Sequence, residues 1–264
     1  MKCELPTWFR TTAFTLVEMM VIIALIALLI AMLLPALDKA RSASRSAMCL
    51  TKLNQFYKAD VAFASENHGY SVRTLEPKAD TPKKGVWWTS TLFNFSSGGD
   101  LKFCPEADSN SGNTPTMNTL SIGNRHRAWF DGVQYPPSAS KPEVGSYGQN
   151  MWVSRWEGSI TNWGYPKDKH YSGRLGHIPH AKEVPLFFDC VWVGGYPFDT
   201  NLPAAVEGTM GQQLNRFAIK RHDKSRANGV MLDGSAESME LPDMWLLRWH
   251  KNYIPAPAIV IPWP

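Results

Sequence analysis

Seven histidines and four cysteines are the side chains of this chain best suited to metal binding or nucleophilic chemistry. His170, His177 and His180 fall in one Trp- and Gly-rich stretch, with Asp168 nearby. A His-x-x-His pair could offer two ligands to a metal. A zinc site needs a third and a fourth, usually at tighter spacing. Surface histidines are therefore expected, with no metal and no cofactor. His222 and Asp233 could form a base and its orienting acid, but no Ser, Cys or Lys nucleophile is marked beside them. A hairpin whose turn is tied by side-chain hydrogen bonds explains the same pair. No glycine-rich phosphate loop and no paired-carboxylate signature stands out. The expectation is a protein that is not an enzyme. Eleven Trp is high for 264 residues. Exposed rings would stack on sugars and buried rings would build a core, and the core is the expected place.

Glu18 is a different kind of signal. It lies near the start of an apolar stretch, residues 14–37, in which 19–34 is an unbroken apolar run. About 24 helical residues span roughly 36 Å, enough to cross a hydrocarbon layer of about 30 Å. An acid in lipid is costly and needs a reason. Pro35, near the far end, would kink a continuing helix. A plain signal anchor, with Glu18 reaching for the headgroups, is one reading. A cleaved secretory signal fits worse. The run is long, it holds an acid, and no small-x-small site follows.

Residues 13–18, Ala-Phe-Thr-Leu-Val-Glu, followed by the apolar run, resemble the processing signal of type IV pilins and type II secretion pseudopilins. The short leader, residues 1–13 with Lys2 and Arg10, is positive as in that family, although the family usually has Gly where this chain has Ala13. The resemblance implies cleavage between Ala13 and Phe14 by a prepilin peptidase, followed by N-methylation of Phe14. It also implies that Glu18 pairs with the amino terminus of a neighbouring subunit in the apolar core of a filament. A buried charge is tolerable when paired in that way. Lys39, Arg41, Arg45 and Lys52 follow the run, so charge alone does not orient it. The processing motif implies a cytoplasmic N-terminus and an extracytoplasmic head in the bacterial inner membrane.

The elements that must position these residues can be read onward. Ala40, Ala43, Ala47, Leu50, Tyr57, Val61 and Ala64 recur at helical steps, widened by Leu53 and Phe56. One helix from Phe14 to about His68 is predicted, stopped near Gly69. Its segment 38–68 is an amphipathic stalk packed on a sheet. Beyond it lies a β-rich head, 69–264, with long loops. Residues 86–88 and 92–95 form an aromatic patch. Residues 101–105 are extended, and 106–118 and 133–143 are loops. Residues 145–153 and 184–193 are strands, the second central, with a long insert at 154–183 between them. A meander follows, with strands at 217–221, 229–232 and 236–241 and a hairpin turn at Asp233-Gly234. A short helix is expected at 244–249, then an extended Pro-alternating tail.

A variant of the same family adds a Cys after the membrane helix, a Cys-Pro, a Ser-Tyr-Gly-x-Asn segment and a terminal Arg-His…Ala-Asn…Asp-Gly block. This chain is similar at Cys49, at Cys104-Pro105, at Ser146-Tyr147-Gly148-Gln149-Asn150, and at Arg221-His222, Ala227-Asn228 and Asp233-Gly234. Ten residues separate His222 from Asp233, where the family usually has nine. Cys3 would leave with the leader. Cys49, Cys104 and Cys190 would then face a compartment where disulfides persist. A Cys49–Cys104 bridge is the expected arrangement, with three buried thiols as the alternative. Cys190, in an apolar strand, is expected to be a small hydrophobe.

Composition agrees with a mixture. A hydrophobic content of 44% and mean hydropathy of −0.25 exclude a polytopic membrane protein. Aromatics at 12% exclude a disordered chain. A net charge of +4 without clustering calls for no nucleic acid, and removing the leader lowers it to +3. The expected protein is an α+β, single-pass, pilin-like or pseudopilin-like subunit. Its partners are prepilin peptidase, sister subunits and the inner membrane. Two alternatives stay open, a membrane-anchored glycan-binding module and a membrane-anchored enzyme using His222 and Asp233.

Overall fold

The structure, a computed structural model, describes residues 14–78, 81–93, 101–107, 120–131, 143–155, 165–202, 208, 210–223 and 225–256. The leader, most of the loops expected at 106–118 and 133–143, and the end of the tail lie outside the described residues. The chain divides into two units, Met1–Ser42 and Ala43–Pro264. Helix α1, Leu16–Glu66, runs through the boundary with Pro35 inside it.

In the first unit every described residue from Phe14 to Ala40 is exposed. Such a long apolar surface is not one that water tolerates. This part of α1 is long and apolar enough to cross a membrane. Its N-terminus is a capping box. Thr15 Oγ1 accepts from the Glu18 backbone N–H at 3.3 Å, and Glu18 Oε2 accepts from the Thr15 N–H at 2.9 Å and its hydroxyl at 2.7 Å.

The second unit is α+β. Its elements are β1 (Leu75–Lys78), β2 (Thr81–Trp87), α2 (Trp88–Phe93), β3 (Leu120–Ser121), β4 (Trp129–Asp131), β5 (Glu143–Gly145), β6 (Tyr147–Asn150), β7 (Pro185–Asp189), β8 (Gly194–Gly195), β9 (Arg226–Met231) and β10 (Ala236–Glu240). A five-stranded sheet has the order β10-β9-β7-β6-β8. It is antiparallel except for the β6–β8 pair. β3-β4-β5 form a second sheet and β1-β2 a hairpin, both antiparallel. β7 is central and wholly buried, as its apolar run predicted, but it ends at Asp189 instead of running to 193.

The C-terminal part of α1 lies on this sheet. Its buried face is Cys49, Leu53, Phe56, Asp60 and Ala64, joined by Ala59. That is rotated from the expected stripe. Ala43, Ala47 and Val61 are exposed, and Leu50 and Tyr57 are half-buried. The apolar count misplaced the face because Cys49 and Asp60 sit at its centre, with their polar atoms partnered inside. Phe56 meets Trp88, Tyr147 and Phe187 at ring-centre distances of 5.2, 5.8 and 6.0 Å. After α1, Gly69 adopts φ +81° and its N–H returns to Ala64 O at 2.7 Å, closing the helix near the expected stop.

Five local expectations differ from the structure. Of the aromatic patch expected at 86–88 and 92–95, residues 88–93 lie in helix α2, which buries Trp88, Thr89 and Leu92, and 94–95 lie outside the described residues. Strand 145–153 is broken at Ser146, whose hydroxyl accepts the Cys104 N–H at 2.6 Å. Residues 217–221 are not a strand. A 3-10 turn, Leu214–Arg216, leads into an irregular run, because Arg221 and His222 turn inward instead of joining a ladder. β9 consequently begins at Arg226, earlier than expected, after a single His222–Arg226 bridge. The expected helix at 244–249 is a 3-10 turn, Leu241–Leu246, opened by Pro242. The β9–β10 hairpin turns at Asp233-Gly234 as expected, with Gly234 at φ +89°.

Candidate functional site

Two groups of residues carry the candidate chemistry. The first is N-terminal. Ala13 lies outside the described residues, and Phe14 is exposed ahead of the helix. Glu18 serves its own helix terminus through Thr15, satisfying backbone donors that would otherwise be orphaned.

The second group is buried in the head. Cys49 comes from the inner face of α1, Cys104 from the turn after residue 101, Asp189 from the end of β7, and His222 from the bridge before β9. One ligand atom from each lies within 4.8 Å of the other three. Cys104 Sγ is 3.3 Å from His222 Nε2, which is 3.1 Å from Asp189 Oδ2. Cys49 Sγ is 3.8 and 3.9 Å from the two Asp189 oxygens. The Cys49–Cys104 pairing expected from the sequence is thus brought together spatially. No bond joins the two sulfurs, so the expected bridge is not formed.

A buried carboxylate needs partners. Asp189 has Arg221 Nη1 at 3.0 Å and the Asn228 N–H at 2.9 Å besides His222. Arg221 is itself saturated. Nε donates to Arg125 O, Nη1 also to Ser146 O, and Nη2 to Asn124 O and Cys190 O. Burial opposes ionisation of Asp189, but the charges of His222 and Arg221 and its hydrogen bonds prevail and hold it at about 2. Burial likewise disfavours charged His222, and Asp189 overrides this, lifting it to about 10. Cys104 is raised by burial but lowered further by Cys49, His222 and Arg221, ending at about 7. Burial, with the bond to Cys104, pushes Cys49 well above the usual thiol range.

A thiol beside an imidazole that is held by a carboxylate has the connectivity of a nucleophile, a base and an orienting acid. Cys104 and His222 are each only 1% exposed, however, and Cys49 and Asp189 are fully buried. The four side chains are thus enclosed within the described part of the head. Cys190 is separate, an inert buried thiol whose surroundings lift it to about 12.

The other motif residues lie on or beside β6 and β9, the strands that flank β7. Tyr147 donates its hydroxyl to Cys49 Sγ at 3.4 Å. Gly148 lets Cys190 approach, since a Cβ there would lie 2.6 Å from its sulfur. Gln149 Nε2 donates to Val72 O at 3.0 Å. Asn150 Nδ2 ties Pro185 O and Trp249 O at 2.9 and 2.8 Å. Asn228 Nδ2 donates to Ser46 O and Oγ on α1, at 3.1 and 3.0 Å. Asp233 and Gly234 stand apart in the hairpin turn. Asp233 accepts from the Ser235 N–H and hydroxyl, and Gly234 packs on Tyr57. His222 therefore takes Asp189 as its acid, and the His222–Asp233 pairing is not formed. Asp189 was missed by the sequence reading. Its signal was a lone acid inside the apolar stretch 184–193, which only a buried partner explains.

His177 and His180 are exposed, as expected, but His170 is buried against Trp152 and Tyr196. All seven Trp among the described residues are buried. A cavity of about 250 Å³ is lined by Trp87, Trp192, Tyr165, Tyr196, Asp131 and Arg216. No protein-family model, no curated protein and no solved structure matches this chain.

Proposed function

We propose that this protein is a pilin-like or pseudopilin-like structural subunit, cut between Ala13 and Phe14 and N-methylated at Phe14. The cut chain assembles with sister subunits through its N-terminal helix. The observation that carries the reading is α1. A wholly exposed apolar segment beginning just after Phe14, with Glu18 in its first turn, continues without interruption into a segment buried on a sheet. An exposed apolar helix needs lipid or other helices around it. In the membrane it is the anchor, with the head on the extracytoplasmic side of the bacterial inner membrane. In an assembly it is the bundle. Burial of the Cys104–His222 pair supports a structural role over an enzymatic one. Mass spectrometry of the mature chain tests the reading. A start at methylated Phe14 in cells with active prepilin peptidase, and at Met1 in cells without it, is the expected result. A Met1 start in both removes the proposal.

A further inference from the structure

We infer that Cys49, Cys104, Asp189 and His222 form a structural zinc site that staples α1 to the sheet. Tetrahedral zinc, bonded at about 2.3 Å to sulfur and about 2.0–2.1 Å to nitrogen or oxygen, sets its ligand atoms roughly 3.3–3.8 Å apart. With Asp189 Oδ2 as the oxygen ligand, His222 Nε2 lies 3.1 Å from it, Cys104 Sγ 3.3 Å from His222 Nε2 and Cys49 Sγ 3.9 Å from the oxygen, and all four ligand atoms lie within 4.8 Å of one another. These separations are close to those around a tetrahedral ion, so an ion enters the middle of the group with side-chain shifts of no more than about an ångström. The donor set selects the ion. Two sulfurs and an imidazole suit zinc and disfavour magnesium or calcium, which prefer oxygen.

The charge closes as well. Two thiolates and the Asp189 carboxylate carry three negative charges. A divalent ion and the Arg221 guanidinium carry three positive ones, with His222 neutral and ligating through Nε2. A buried group of this kind is tolerable when it is neutral as a whole. Partners outside the ligands are already in place for Asp189, Cys49 and Cys104, whereas Nδ1 of His222 is buried without one. Arg221 and the Asn228 N–H hold the carboxylate, Tyr147 donates to Cys49 Sγ, and Ser146 Oγ fixes the backbone of Cys104. Such partners orient ligands and tune affinity. No ligand is exposed beyond 1%, so the site has no position open to a substrate. The ligands come from positions 49, 104, 189 and 222. One ion thus ties the helix to three separate stretches of the head, and its binding energy becomes folding energy.

The inference stands independently of the assembly reading, because it concerns only residues of the second unit. It is tested on the full chain in detergent, purified without chelator. The expected results are about one zinc per chain by elemental analysis and four titratable thiols once the unprocessed protein is denatured with chelator. Cobalt replacement should give the visible bands and sulfur-to-metal charge transfer of a tetrahedral thiolate site. Cys49→Ser and His222→Gln should lose the zinc, whereas Cys190→Ser keeps it. Tyr147→Phe, which leaves all four ligands, should weaken zinc binding by about tenfold. A metal-free chain with only two titratable thiols means a Cys49–Cys104 disulfide and overturns the site. Zinc that survives both ligand substitutions overturns it too. If the ligand variants do not fold, the zinc content, thiol count and cobalt spectrum of the unmodified chain decide alone.

Discussion

Asp60 shows what one residue contributes. Its carboxylate, fully buried on the inner face of α1, accepts from Ser71 Oγ at 2.7 Å and the Val72 N–H at 2.8 Å. It thereby holds the chain that leaves the helix. Burial outweighs these bonds and raises the group to about 7. A carboxyl raised on folding binds its proton more tightly in the native state. Its stabilising contribution is therefore full below about 4 and is lost as pH rises to about 7. Asp60→Asn keeps an acceptor without the charge. The variant should show a flatter dependence of Tm on pH between about 4 and 7 than the unmodified chain, measured by calorimetry. An equal slope would mean that Asp60 does not titrate there. Glu18 is the corresponding residue in the first unit. Glu18→Ala should leave membrane insertion intact and reduce co-assembly with sister subunits in crosslinking. Unchanged crosslinking would reject a pairing role for this carboxylate.

Among elements, the contact between β7 and β9 is the most restrictive. Gly229 lies opposite Phe188, and a Cβ at Gly229 would come within 2.1 Å of that ring. The glycine exists for the ring above it, not for a turn. Gly229→Ala forces Phe188 off its site and should cost about 1–3 kcal/mol, read as an earlier midpoint in urea. Adding Phe188→Leu should recover part of that loss. If the single variant unfolds at the unmodified midpoint, the ring has room that the packing denies it. β7 was legible as a strand because an apolar run buried on both faces has a simple signature. Residues 217–221 carried a similar pattern and still failed to form a strand, because the demands of Asp189 outrank a local ladder.

Across the whole head, a second polar centre opposes the first in its pH response. His170 and His250 stand edge-on to Trp152, at ring-centre distances of 4.9 and 5.5 Å. Burial lowers each to about 4. Both are neutral in the fold, so their contribution is present above about 6.5 and is lost as pH falls to about 4. Acid should therefore destabilise the head over the window in which protonating Asp60 stabilises it. With two histidines against one carboxyl, net stability should fall from pH 6.5 to 4, with loss of the near-ultraviolet circular dichroism of the Trp152 cluster. His170→Phe with His250→Phe, which keeps ring packing, should flatten that fall. An unchanged profile would place the acid sensitivity elsewhere.

The amino-acid sequence by itself determined the long helix, the apolar segment, the stop near Gly69, the central strand and the Asp233-Gly234 hairpin. Each is a local pattern, set by periodicity or turn chemistry within a few residues. It also marked Cys49, Cys104, Tyr147, Asn150, His222 and Asn228 as special without saying why. Tertiary structure decided how they meet. It rotated the buried face of α1 onto Cys49 and Asp60, gave His222 to Asp189 instead of Asp233, and placed Arg221 where its donors are all used. The physical reason is the cost of burying charge. A buried carboxylate is stable only with several donors converging on it. Those donors come from positions far apart in the chain, so no local pattern could reveal them.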